Sequence, residues 1–293
     1  MNSISKKYVF TSVLFVGWFV SYLDRFLINM ALPFIGKEFH IDEVGLGMML
    51  SVFFIGYSLV QLPGGWLSDK VGSRKMMIFS LIMFTIFSGL TGVAWSIVSL
   101  FVIRFFFGIF EGSFPTASFK AVSEYFPKSD RARVQSVLLA TNPLSLAIAP
   151  IVAAPLIIWI GWRGMFIAMS IFGVIASILY VLKIKPLSGP KENVRVEDEA
   201  DKKTLKELLR DSNIWKISAI NFGVNILIWG FLSWLPSYML KVQKLDLLHA
   251  GILSSLPGFA GIAGMLIGGW LLDKWFENRE KYLLVASVSI AAV

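Results

Sequence analysis

Four charged side chains interrupt stretches that are otherwise apolar: Asp24 and Arg25 in the first, Arg104 and Glu111 in the fourth. A charge at the centre of a membrane helix costs about 2.5–3.5 kcal/mol on insertion scales, so such a residue is kept for a partner or a ligand. Two guanidiniums can grip a carboxylate bidentately, and two acids beside them can neutralise the arginines while the site is empty. A carboxyl group in a low-dielectric cavity can also take up and release a proton. Proton and anion would then enter together, the proton gaining about 2.3 kcal/mol per 100 mV of membrane potential. Helical rise puts Arg25 about 26 Å above the inner end of its stretch and Arg104 about 8 Å below the outer end of its own. In a core roughly 30 Å thick, both arginines stand at a similar level in the outer half. Glu111 lies two turns deeper on nearly the same face as Arg104. The alternative reading of the four charges is a pair of static salt bridges holding helices together.

Polar neighbours suit a hydroxylated ligand. Tyr22 and Asn29 flank Arg25 at helical spacing, Tyr57 and Gln61 are four apart on the second stretch, and Asn142-Pro143 breaks the fifth. Asn221 and Asn225 share a face of the seventh. Each residue could equally be interhelical hydrogen-bond glue; Tyr22, Tyr57 and Asn142 are the expected lining residues.

The elements that must hold these side chains are membrane helices. The chain of 293 residues is 56% hydrophobic and only 16% charged, against about 25% charged in soluble domains. Spans of about 20 residues or more are expected near 8–35, 44–67, 76–97, 99–124, 134–158, 163–183, 213–240 and 247–272, with a ninth beginning near 281. Basic residues crowd the segments that an inward N-terminus would place in the cytoplasm, so the net charge of +8 reads as topology and not as a nucleic-acid surface. There is no cysteine, and both histidines, His40 and His249, fall in expected loops. No metal site, cofactor site or catalytic set of hydroxyl, histidine and acid is apparent, which argues against an enzyme. The expected setting is a cell membrane, a bacterial inner membrane by preference, with the protein a monomer.

One composition break divides the chain. Residues 184–212 begin with Pro186, Gly189 and Pro190 and continue through mixed charges, with capping-box spacing at Thr204 to Glu207. They are read as a cytoplasmic linker with a short amphipathic helix, between a six-helix domain at 1–183 and the start of a second at 213–293. A repeat supports the division. Gly64-Gly65-Trp66-Leu67-Ser68-Asp69-Lys70 returns 204 residues later as Gly268-Gly269-Trp270-Leu271-Leu272-Asp273-Lys274. That maps the second span onto the eighth, a six-helix offset.

At these residues the chain resembles the anion:cation symporter family of the major facilitator superfamily, which includes sialin and bacterial sugar-acid carriers. Tyr22-x-Asp24-Arg25 is similar to the start of that family. Gly65-x3-Asp69-Lys70-x-Gly72-x-Arg74-Lys75 matches the superfamily's motif between spans two and three, and Arg104-x3-Gly108-x2-Glu111-Gly112 resembles the signature of span four. Weaker matches are Gly161-Trp162-Arg163 and Trp234-Leu235-Pro236-x-Tyr238. The resemblance implies an all-α, twelve-helix fold working by alternating access, of which nine spans would be a C-terminally truncated part, not expected to transport alone. It implies that Asp24 and Glu111 are proton-coupling acids, that Arg25 and Arg104 bind substrate and pair with the acids, and that Tyr22, Tyr57 and Asn142 line the cavity. Gly65, Asp69, Lys70, Gly72 and Arg74 would form a cytoplasmic gating motif that latches the halves. The second copy of this motif continues Trp275-Phe276 where the second glycine belongs.

The leading expectation is a proton-coupled symporter for an organic anion, a sugar acid such as a hexuronate, aldonate or aldarate. Alternatives are uptake of another organic anion or of phosphate, with sodium as a possible coupling ion, and a non-transporting membrane sensor or inert fragment. Charges that cluster, and do not form a ring, favour a carrier over a channel.

Overall fold

The computed structural model describes residues 3–184, 210–275 and 282. All regular structure among them is helical: α1 (Ser3–Phe39), α2 (Glu43–Val71), α3 (Ser73–Gly92), α4 (Ile97–Tyr125), α5 (Lys128–Leu139), α6 (Thr141–Lys183), α7 (Ser212–Lys241) and α8 (Leu247–Trp275). The expected linker helix and the ninth span fall outside the described residues.

Helix boundaries follow local chemistry. The Asp42 side chain accepts from the Gly45 amide at 2.9 Å to start α2, and Ser96 and Ser99 cap each other's amides to start α4. Gly72, at φ +98°, supplies the turn between α2 and α3 that a side chain would resist. Asp246 caps α8 by accepting from the amides of Leu248 and His249, both at 3.1 Å. That cap draws His249 into the first turn of α8, where the sequence suggested a loop. The break expected at Asn142-Pro143 falls instead at Ala140, between Leu139 at the end of α5 and Thr141 at the start of α6, so that Asn142 and Pro143 lie inside the first turn of α6.

Seven helical stretches are long and apolar enough to cross a membrane, and one of them, Lys128–Lys183, has 56 residues. At 1.5 Å per residue that is about 84 Å, enough to cross a core of roughly 30 Å twice. It turns at Gly161, whose φ of +70° and ψ of 169° break the helix. The two arms run in opposite directions. In the first arm, Ala147 and then Pro150 meet Gly258 and then Gly251 of α8. In the second, the Arg163 carbonyl meets Gly92 at the end of α3, and Gly173 meets Thr85 nearer its start. The turn is pinned at the face opposite the N-terminus. Arg163 donates to Glu38 through Nε at 2.9 Å and Nη2 at 2.7 Å, and to the Gly92 carbonyl at 3.1 Å. Trp162 donates to the other Glu38 oxygen at 2.7 Å.

Two buried apolar clusters stack along the bundle. One contains Phe10, Leu14, Trp18, Phe107, Phe114 and Tyr180, and the other Leu27, Met30, Ile35, Leu100, Ile103 and Trp162. Along α1 the first cluster ends at Val20 and the second begins at Leu23; along α4 they change over between Ile103 and Phe107. The charged residues sit at this junction.

Candidate functional site

The seam between α2 and α4 sets the site. A Cβ on Gly108 would lie 2.2 Å from the Phe53 carbonyl oxygen, one on Gly56 2.3 Å from that of Phe105, and one on Gly112 2.6 Å from that of Tyr57. Only the missing side chains let the two backbones approach so closely, as small residues do between membrane helices. This packing lays Phe53 and Tyr57 of α2 beside Arg104 and Glu111 of α4.

Arg25 crosses from α1 to α4. It donates to Glu111 Oε1 through Nη2 at 2.8 Å and Nε at 3.1 Å, and Ser21 Oγ, one turn earlier on α1, donates to the same oxygen at 2.7 Å. Three donors therefore converge on one carboxylate oxygen, while Glu111 Oε2 is buried without a hydrogen bond. The Arg25 guanidinium also lies 4.6 Å from the Tyr57 ring centroid, 4.9 Å from Tyr22 and 5.5 Å from Phe53. Aromatic faces on several sides favour the cation and exclude water. Asn142, at the start of α6, stands beside the Tyr22 hydroxyl.

Arg104 is only 1% exposed, and its Nε and Nη1 have no hydrogen-bond partner. It rests against Phe107 at 4.8 Å and shares the Phe53 ring with Arg25, each guanidinium 5.5 Å from that centroid. Asp24 is also buried, facing Arg104 and Ser88 of α3, with Oδ1 unbonded. So one pair is closed and the other is held by field alone, a buried arrangement that leaves donors and acceptors vacant for a ligand or proton. Arg25, Asn29, Phe53, Arg104, Trp229 and Ser233 line a small cleft between α1, α2, α4 and α7. A larger groove, lined by Ile82, Ile86, Val174 and Ile178 among others, lies between α3 and the second arm of α6 and holds no charged group.

The structure thus brings Tyr22, Asp24, Arg25, Tyr57, Arg104, Glu111 and Asn142 into one neighbourhood. The expected gating residues lie elsewhere, from the end of α2 through the Gly72 turn to the start of α3. Asp69 pairs with Lys120 of α4, which also donates to the Ser68 carbonyl at 3.1 Å. Arg74 donates to the Ile184 and Val181 carbonyls, closing the C-terminus of α6. Lys70 lies 3.9 Å from the Trp66 ring centroid on its own helix. A Cβ on Gly65 would meet nothing within 4 Å, whereas one on Gly64 would lie 3.2 Å from Ser113. Sequence reasoning missed Ser21, Phe53, Lys120 and Trp229. Lys120 carried a legible signal, a cation four residues before Glu124 in an apolar helix; a serine or phenylalanine in a membrane span carries none.

Known proteins of similar sequence and fold identify the family. The chain is 29% identical to the "Probable galactarate/D-glucarate transporter GarP" of Escherichia coli K12, covering 99% of this chain and 72% of that one. It is 29% identical to the "Hexuronate transporter" of Bacillus subtilis 168, covering 96% and 68%. Among solved structures it superposes on a bacterial homologue of the human lysosomal transporter Spinster, in its inward-facing and unoccupied conformation, with a TM-score of 0.80 at 18% identity. That match covers 95% of this chain, which spans 64% of the other. Residues 14–293 match the Major Facilitator Superfamily, and this multi-pass membrane chain, all helical where it is described, belongs to that superfamily of transporters.

Proposed function

We propose that the protein takes up an organic anion, a sugar acid of the hexuronate, aldonate or aldarate type, together with protons and by alternating access. The observation that carries this reading is the Arg25–Glu111 pair, with three donors on one carboxylate oxygen and none on the other. An incoming carboxylate competes with Glu111 for Arg25. A proton placed on the vacant Oε2 weakens the grip of Glu111 on Arg25, so protonation and anion binding support each other. Asp24 and Arg104 form a second set with the same logic. Tyr22, Tyr57 and Asn142 border the guanidinium that would hold the substrate. The names of the two relatives point to the same chemical class.

On this reading residues 1–183 form one six-helix half, 184–212 a cytoplasmic linker and 213–293 the start of the other half. Gly65, Asp69, Lys70, Gly72 and Arg74 act as a gating motif. The crowding of basic residues in alternate loops supports a cytoplasmic N-terminus, and on this reading the protein is a monomer in a bacterial inner membrane.

The test is flux. Full-length protein in proteoliposomes should accumulate labelled D-glucuronate or D-gluconate above equilibrium under an inward proton gradient, and a protonophore should abolish the excess. Failure to accumulate any acid from a panel of uronates, aldonates and aldarates contradicts the proposal.

A further inference from the structure

Asn221, Asn225 and Trp229 form a stripe spaced four residues apart on one face of α7, with Ser218 and Ser233 the other polar residues of its middle stretch. The stripe is bonded along its length. Asn221 Nδ2 donates to the Ile217 carbonyl at 3.0 Å, Asn225 Nδ2 to the Asn221 carbonyl at 2.8 Å, and Trp229 Nε1 to Asn225 Oδ1 at 3.1 Å.

Trp229 fixes where that face looks. Its ring stacks on Phe26 of α1, with centroids 5.7 Å apart and planes at 11°, and meets Phe54 of α2 edge-on at 5.4 Å. Three residues further along both helices, Asn29 Nδ2 reaches the Leu232 carbonyl at 3.5 Å. Phe26 opposite Trp229 and Asn29 opposite Leu232 make α1 and α7 parallel and in register. One turn back on each helix, that register sets Asn225 opposite Tyr22. At this level α7 is exposed from Trp215 to Ile228, and Tyr22 is partly buried. The same register brings Asn225 to the level of Tyr22, with Asn142 beside it, and of the Arg25 guanidinium, which lies 4.9 Å from the Tyr22 ring centroid and 4.6 Å from that of Tyr57.

We propose that Asn225 reads the hydroxyl groups of the ligand whose carboxylate Arg25 holds, with Trp229 as its positioning residue; this rests on the function proposed above. The bond from Trp229 fixes which end of the amide is oxygen. After the two helix-side bonds, Asn225 keeps one N–H and one lone pair to give. A group that donates and accepts side by side matches neighbouring hydroxyls on a polyol chain, and a site built to bond a hydroxyl rejects an analogue that lacks it.

The test uses full-length protein in proteoliposomes, with D-gluconate and its monodeoxy analogues competing against labelled D-gluconate. Wild type should disfavour at least one analogue about tenfold, the value of one good hydrogen bond. Asn225→Ala should reduce that discrimination to less than about twofold, by weakening D-gluconate and leaving that analogue unchanged. Trp229→Phe, which keeps the ring but loses the N–H, should give an intermediate loss. Arg25→Ala should weaken every acid alike. Unfolding temperatures without ligand check that the variants fold, and Asn225→Gln, which keeps the amide, should retain part of the discrimination. Discrimination unchanged in Asn225→Ala, or an equal weakening of all acids, overturns the assignment of Asn225 alone. A wild type that binds no sugar acid overturns the proposed function and this assignment with it.

Discussion

Two seams in the molecule are built from glycine, and they differ along their length. Between α2 and α4, Gly56, Gly108 and Gly112 hold backbone against backbone, and Gly64 continues the contact against Ser113. Between α6 and α8, Gly251 and Gly258 make equally close approaches, to Pro150 and Ala147, but the contact then loosens. A Cβ on Gly261 would lie 3.3 Å from Pro143, and Gly264, Gly268 and Gly269 have nothing within 4 Å. The first seam is a fixed wall that carries Arg104, Glu111 and Tyr57. The second is closed toward the face that holds the Glu43–Lys241 ion pair, 2.8 Å long, and open toward the other. In a transporter that rocks one half against the other, binding groups belong on the tight seam and freedom to move on the loosening one.

Substitutions that add one methyl group separate the two seams. The largest effect is expected at Gly108→Ala, where the new Cβ meets a carbonyl oxygen at 2.2 Å and neither helix can yield without displacing the charged residues. Overpacking of this kind costs about 1–3 kcal/mol, read as a lowered unfolding temperature in detergent, and uptake should fall with it. At Gly258→Ala the clash with Ala147 is as close, but α8 can move away, so the main result should be conformational. The chain has no cysteine of its own, so spin labels placed at Lys37 and Gln243, both exposed, will report a broadened distance distribution with stability less affected. Gly264→Ala should stay within about 0.5 kcal/mol of wild type, because the methyl group enters open space. Equal losses at all three positions would show that the seams do not differ in kind.

The membrane helices and the charged residues were legible because both depend on local composition: a run of apolar residues is visible in sequence, and so is a charge within it. Pairing was less legible. Asp24 and Arg25 are neighbours in sequence, yet successive helical residues point about 100° apart, and Arg25 reaches Glu111 while Asp24 faces Arg104. The gating motif shows the same limit. Its spacing was clear, but the partners of Asp69 and Arg74, Lys120 and the end of α6, come from distant parts of the chain. Gly161-Trp162-Arg163 was read as a weak family match; in three dimensions it is the turn that sends α6 back across the membrane, secured by Glu38 of α1. Trp229 escaped notice because its significance lies in its register with Phe26.

The most direct test of the proposed proton coupling is Glu111→Gln in the full-length protein, assayed in proteoliposomes for both gradient-driven accumulation and equilibrium exchange of a labelled sugar acid. The amide is uncharged and cannot exchange a proton, but it still offers an oxygen to Ser21 and Arg25. Accumulation should disappear while exchange persists. Accumulation at the wild-type level in Glu111→Gln would contradict Glu111 as the coupling acid.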